Sequence, residues 1–171
     1  MEFSKPALFL DRDGVINIEK NYLHKIEDVE FVAGIFELCR YYQELGYLII
    51  VVTNQSGIAR GMYGEKDFEI LSNWMIEQFK KERIEITCIF HCPHHPDFSG
   101  DCECRKPKPK MLLDAQKSYD IDMQKSMMIG DSERDIEAAI RAGVGQTVLL
   151  TQKSDISSQA DHIVQELRCL F

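Results

Sequence analysis

The stretch Ala7-Leu8-Phe9-Leu10-Asp11-Arg12-Asp13-Gly14 constrains the fold more than any other part of this chain. Four consecutive apolar residues suit a strand buried on both faces, the situation of a central strand in a parallel sheet. Asp11 and Asp13 follow at its carboxyl end, where open α/β sheets place their ligands. Gly14 permits the turn the chain must make there. Two carboxylates this close repel unless a cation or a shared proton intervenes. Such a pair suits Mg²⁺ held by carboxylates and phosphate, or a nucleophile beside a general acid. An Asp-rich turn without chemistry is the plain alternative.

The rest of the chain alternates in kind. Tyr47-Leu48-Ile49-Ile50-Val51-Val52 predicts a second buried strand by its β-branched run, leaving through Thr53-Asn54-Gln55-Ser56-Gly57. Ser126-Met127-Met128-Ile129 predicts a third, leaving through Gly130-Asp131. Further strands are expected at 86–91 and from Gln146 to Leu150, with a strand-then-helix tail over 161–170. Apolar spacing predicts helices over 35–45 and 65–82, over 109–119 with Pro109 in the first turn, and from Ser132 through Ala142, closed by Gly143. This order implies an α/β fold: a Rossmann-like, three-layer parallel sheet with right-handed crossovers. At 171 residues it fits a single domain spanning 1–171. Residues 14–33 form a loop long enough to be functional.

Three strand exits carry unusual polar residues: Asp11/Asp13, Thr53/Asn54 and Asp131/Asp135. Exits of parallel strands share one sheet edge, so these side chains can converge on one crevice. Chemical need then suggests roles. Asp11, first off its strand, is the better nucleophile toward a phosphate monoester, and Asp13 can protonate the leaving alkoxide and then activate water. Asp131 can complete a Mg²⁺ site with Asp11 and a backbone carbonyl near Asp13. The Thr53 hydroxyl and Asn54 can donate to phosphoryl oxygens, and Lys106 can neutralise developing charge. Asp135, four residues after Asp131, shares its helical face and can orient Lys106 or the metal.

Formal charge is −8, from 20 Lys and Arg against 28 Asp and Glu, so no nucleic-acid or membrane partner is expected. The chain has neither an apolar run of membrane-spanning length nor an apolar leader, which makes the cytoplasm the expected compartment. Of six cysteines, Cys39, Cys88 and Cys169 read as core or near-core thiols. Cys92-x-His94 and Cys102-x-Cys104 offer a structural Zn²⁺ set, with His95 able to replace His94 and disulfides as the alternative. A closed four-ligand site would fold its loop and fix Arg105 and Lys106, which follow Cys104. His24 and His162 read as surface or loop residues, His91 as a packed strand end and Trp74 as core. Arg60 either meets a second phosphate or is solvated.

Asp11-Arg12-Asp13-Gly14, Thr53-Asn54, Lys106 and Gly130-Asp131-Ser132-Glu133-Arg134-Asp135 resemble, in order, the four motifs of the haloacid dehalogenase superfamily. The likeness covers nearly the whole chain, and no segment is long enough for a cap domain, as in capless members. Thr53-Asn54-Gln55-Ser56-Gly57-Ile58-Ala59-Arg60-Gly61, Cys92-Pro93-His94-His95-Pro96 and Cys102-Glu103-Cys104-Arg105-Lys106-Pro107 further resemble the heptose bisphosphate phosphatases, in a branch shared with histidinol-phosphate phosphatases. The chain departs from that family at Lys110, where glycine is usual, and in a shorter segment between His94 and Cys102. The resemblance implies a Mg²⁺-dependent phosphatase of activated-heptose precursor synthesis acting on a small sugar phosphate, and a monomer is expected. It implies Asp11 as nucleophile, Asp13 as acid/base, and Mg²⁺ held by Asp11, Asp13 and Asp131. Thr53 and Lys106 would steady the phosphoryl group and Arg105 would recognise substrate. Glu19, Lys20, Asn21 and Tyr22, with Thr53, Asn54, Gln55 and Ser56, would be substrate-contacting loops. The Zn²⁺ ligands would be Cys92, His94, Cys102 and Cys104. The competing readings are a histidinol-phosphate phosphatase, a more remote polynucleotide 3′-phosphatase that the acidic charge disfavours, and a non-catalytic zinc-stabilised binding module.

Overall fold

The computed structural model describes residues 4–171. Its elements run β1 (Ala7–Leu10), α1 (Ile35–Glu44), β2 (Leu48–Asn54), α2 (Glu65–Lys81), β3 (Ile86–Cys92), the single turn α3 (Pro96–Ser99), α4 (Lys110–Tyr119), β4 (Met127–Gly130), α5 (Glu133–Arg141), β5 (Gln146–Leu150) and β6 (His162–Val164). The six strands form one parallel sheet in the order β3-β2-β1-β4-β5-β6. The chain winds outward from β1 to β3, then returns to lay β4 on the other side of β1. That reversal makes the carboxyl ends of β1 and β4 the topological switch point, where the sheet opens a crevice. Asp11 sits there, its N–H donating to the Ile129 carbonyl at 3.1 Å.

The apolar run of β1 is buried on both faces because helices cover both. Leu8 and Leu10 pack with Ile35, Leu38 and Cys39 of α1 and Phe79 of α2. Ala7 and Phe9, pointing the other way, pack with Met111, Leu112 and Ala115 of α4 and Ala138 and Ala139 of α5. Phe9 is fully buried, so Phe9→Ala would cost about 3–5 kcal/mol through lost transfer energy and the cavity left behind.

Several boundaries differ from the sequence reading. β2 continues through Thr53 and Asn54, because pairing with His91 and Cys92 of β3 holds those polar residues in the ladder. Pro109 stands at the N-cap of α4 rather than inside its first turn, β4 lies one residue later than expected, and Ala142 is the C-cap of α5. The tail is β6 followed by a 3₁₀ turn over Leu167–Leu170 instead of an α-helix. Cys39 is buried as expected, but Cys169 is exposed: only Leu167 of that turn is buried, so the cysteine two residues on faces outward. Trp74 is half-buried and stacks on Phe31 with centroids 5.9 Å apart. No helix among the described residues is long and apolar enough to cross a membrane.

Candidate active site

Lys106 is the hub. It is fully buried, and its Nζ lies 3.1 Å from Asp11 Oδ1, 2.6 Å from Asp135 Oδ1 and 2.8 Å from the Val52 carbonyl. Burial alone would lower its pKa, but Asp11 and then Asp135 outweigh that effect and hold the ammonium above its usual range. Burial, followed by the like charge of Asp135, pushes the Asp11 carboxyl well above the ordinary carboxylate value, with Lys106 opposing. The same two causes lift Asp131 to about 6. Asp135 is locked in turn, since its Oδ2 accepts from the backbone N–H groups of Asp131 at 3.1 Å and Ser132 at 3.2 Å, capping α5.

One carboxylate oxygen each of Asp11, Asp131 and Asp135 lies within 4.8 Å of the others. With Asp135 taken up by Lys106 and the α5 cap, the Asp11 and Asp131 oxygens, both on carboxyls held above their ordinary pKa, remain as hard donors that fit a divalent cation of the Mg²⁺ type. The close approach of strand ends depends on glycine. At Gly14 (φ +90°) and at Gly130 a Cβ would collide with the side chains of Asp131 and Asp135 respectively.

The side chain of Asp13 is turned to other partners. Its Oδ1 accepts from Arg12 Nη2 (3.1 Å) and Asn17 Nδ2 (3.0 Å), and its Oδ2 from Gln55 Nε2 (3.1 Å) and Arg12 Nη2 (3.1 Å). Arg12 is itself buried and donates to the Leu23 carbonyl at 2.8 Å. Thr53 is fully buried. Asn54 clamps β2 to the segment before α4: its Nδ2 donates to the Lys106 carbonyl at 3.2 Å, and its Oδ1 accepts from the Lys106 N–H at 3.0 Å.

Around these groups lies a cavity of about 160 Å³ bordered by Asp11, Asp13, Asn54, Lys106, Asp131 and Arg134. It shares Asp13, Glu19, Asn54 and Arg134 with a second cavity of about 390 Å³. Three arginines converge there, Arg60, Arg105 and Arg134. Burial lowers the Arg105 pKa first, and Arg134 and Arg60 lower it further; Arg60 Nε is buried without a partner. Cations gathered in this way call for an anion. Glu19, Asn21, Tyr22, Gln55 and Ser56 line the same space, whereas Lys20 turns back to the Asp28 carbonyl (2.9 Å) and Glu30 (3.4 Å). A larger cavity of about 600 Å³ also meets Glu19 and Asp131 but is bordered by Leu150 and Leu167, and by neither Lys106 nor Asp11. Sequence reasoning assigned no role to Arg134; its signal was a position three residues after Asp131 on the first turn of one helix.

The sulfurs of Cys92, Cys102 and Cys104 gather within 4.8 Å. Cys92 and Cys104 are joined as a disulfide, and Cys102 Sγ stands 3.6 Å from Cys92 Sγ and 3.8 Å from Cys104 Sγ. Three soft donors at one point suit zinc when reduced. His94 offers no ligand atom to that cluster. Both ring nitrogens of His95 are engaged elsewhere, with the Asp97 N–H and Arg60 Nη2. His91 packs on Phe68 at 4.1 Å and meets Glu65 at 2.8 Å; His24 is half-buried against Tyr63, and His162 is exposed on β6.

Comparison with known proteins gives consistent results. A HAD-hydrolase-like family model matches residues 103–169. D-glycero-alpha-D-manno-heptose-1,7-bisphosphate 7-phosphatase of Campylobacter jejuni is 53% identical over 147 residues, covering 86% of this chain and 83% of that protein. D-glycero-beta-D-manno-heptose-1,7-bisphosphate 7-phosphatase of Yersinia pestis is 43% identical over 166 residues, covering 94% and 88%. The crystal structure of D,D-heptose 1,7-bisphosphate phosphatase from B. bronchiseptica, complexed with magnesium and phosphate, superposes with a TM-score of 0.85 at 28% identity over 96% of this chain and 95% of that one.

Proposed function

Since this chain belongs to the heptose-1,7-bisphosphate 7-phosphatases, HAD-like phosphoric monoester hydrolases, we propose that it removes the 7-phosphate of D-glycero-D-manno-heptose 1,7-bisphosphate through an aspartyl-phosphate. The observation that carries this reading is the pair of adjoining cavities. One is built around Asp11 and Lys106 for the reacting phosphoryl group, and the other is ringed by Arg60, Arg105 and Arg134. A sugar with a phosphate at each end matches both; a monophosphate such as histidinol phosphate leaves the arginines unused.

An Asp11 oxygen forms a bond to phosphorus as the bond from phosphorus to the sugar oxygen breaks, and Asp13 gives its proton to that oxygen. Water then attacks phosphorus, its proton passes to Asp13, and the bond to Asp11 breaks to release phosphate. Lys106 and the Thr53 hydroxyl meet the phosphoryl oxygens while charge shifts among them. Asp11 and Asp131, with the backbone carbonyl of Asp13, would hold Mg²⁺; Asp135, bonded to Lys106, orients the group rather than supplying a ligand. Bound there, Mg²⁺ would neutralise phosphoryl charge and the mutual repulsion of the carboxylates.

The reduced thiolates of Cys92, Cys102 and Cys104 would hold a structural Zn²⁺, with His94, which must turn toward them from its present position, as the fourth ligand. A closed tetrahedral set leaves no open position for chemistry. Its work would be to fix the segment leading into Arg105 and Lys106. The reading is tested by phosphate release from both anomers of the heptose bisphosphate, from heptose 7-phosphate and from histidinol phosphate. The bisphosphate should give the highest kcat/KM; a higher value on histidinol phosphate overturns the substrate assignment.

A further inference from the structure

Tyr63 lies in the loop between β2 and α2, outside every motif discussed so far. It is buried, and its ring stacks on His24 with centroids 5.0 Å apart and planes 10° apart. Gly57 also abuts the ring, which a Cβ at that position would overlap. The hydroxyl donates to Oε1 of Gln55, which is also buried. Gln55 Nε2 then gives both its protons inward, to Asp13 Oδ2 at 3.1 Å and Thr53 Oγ1 at 2.8 Å.

This arrangement has one sense only. The amide reversed would set its oxygen against the Asp13 carboxylate, an acceptor facing an acceptor. Burial lifts the Tyr63 hydroxyl to about 12, so it keeps its proton and stays a donor throughout the neutral range. Because Thr53 Oγ1 accepts from Gln55 at 2.8 Å, its own proton serves as a donor; it lies on the Asn54 carbonyl at a long 3.3 Å, a contact a phosphoryl oxygen can replace.

We propose that Tyr63 is a positioning residue for proton transfer: acting through Gln55, it aims Asp13 at the leaving-group oxygen and makes the Thr53 hydroxyl a donor. The inference rests on the reading of Asp13 as the acid that protonates the departing sugar oxygen. A phosphate ester whose alcohol leaves as a stable anion needs little help from that acid, and an alkyl ester needs all of it. A misaimed Asp13 therefore damages alkyl esters selectively, which a loosened loop or a weakened phosphoryl site would not do.

The test is a series of phosphate monoesters, from simple alkyl esters to p-nitrophenyl phosphate, assayed with wild type, Tyr63→Phe, Gly57→Ala and Asp13→Asn in saturating Mg²⁺. The readout is log kcat/KM against leaving-group acidity. This ratio reports steps up to departure of the alcohol, and the slope of the plot does not depend on how much of a variant is folded. Tyr63→Phe keeps the ring stack and loses only the hydroxyl. It should lower kcat/KM on alkyl esters by roughly tenfold to a hundredfold while p-nitrophenyl phosphate changes less than about threefold, a share of the factor that general acids contribute. Gly57→Ala, which displaces the ring, should steepen the slope in the same direction. Parallel lines for Tyr63→Phe and wild type, or no loss at all, overturn the proposal. If Asp13→Asn steepens the slope and Tyr63→Phe does not, the inference alone fails. If Asp13→Asn leaves the slope unchanged, the assignment of Asp13 fails first and the inference with it.

Discussion

Replacing Lys106 with Met keeps most of the side-chain volume and deletes the charge at the centre of the site. Lys106 Nζ lies 3.1 Å from Asp11 and 2.6 Å from Asp135. At an effective dielectric near 20, those separations correspond to gross attractions of about 5 and 6 kcal/mol. Desolvation of three buried charges offsets most of that gain, so the intact triad adds little net stability. Its disruption is another matter, because two carboxylates then remain buried without a cation. The expected loss is about 3–5 kcal/mol, which for a chain of this size lowers Tm by roughly 6–20 °C. The loss should also depend on pH. Asp11 is already held above its ordinary value of 3.8 by burial and then by Asp135, and Lys106 is what pulls it back. In the variant the folded state therefore keeps a proton that the unfolded chain loses above about pH 4, so stability falls as pH rises from there. Thermal melts of Lys106→Met and wild type in EDTA, from pH 4.5 to 8, measure this directly. The gap should widen with pH, and adding Asp135→Asn, which removes one of the stranded charges, should recover part of it. A Tm within about 2 °C of wild type at pH 8 would refute the reasoning, since it would mean the charges were never out of water.

Arg105→Ala and Arg134→Ala should raise KM for the heptose bisphosphate about tenfold or more, the loss of one charge-assisted pair, and change KM for p-nitrophenyl phosphate little, as steady-state kinetics can check. Chelation should abolish phosphate release and Mg²⁺ should restore it. Because Asp131 is held near pH 6, protons compete with the cation below that pH, so calorimetry should find Mg²⁺ affinity falling as pH drops from 7 to 5 and level above 7. Cys102→Ser should release bound zinc and lower activity while leaving Mg²⁺ affinity near wild type; unchanged metal content and kinetics would remove zinc from the account.

What was legible in the sequence was whatever leaves a pattern along the chain. The run Ala7–Leu10 required helices on both faces of β1, and both are there. The repeated succession of apolar strand and polar exit pointed to one crevice; Asp11, Asn54, Lys106 and Asp131 border one cavity, while Thr53 is buried behind it. The four-residue offset of Asp131 and Asp135 located the second partner of Lys106. What was not legible depends on pairing between distant segments. Thr53 and Asn54 look like a turn until β3 supplies the neighbouring strand. Lys20 looks as available as Glu19 until its ammonium finds the Asp28 carbonyl. Tyr63 sits among glycines in a loop without periodicity, and nothing in its neighbours announces that it reaches Gln55.

The account stands on Asp11 as the group that attacks phosphorus, with Lys106 and Asp131 gathered on the same phosphoryl. The most direct measurement is an acid quench during turnover of substrate radiolabelled at the scissile phosphate, followed by digestion and mapping of the label. The label should appear, sensitive to hydroxylamine, on the peptide that carries Asp11, and should vanish in Asp11→Asn. Turnover with no labelled enzyme at any quench time, or with the label on another residue, would contradict the account.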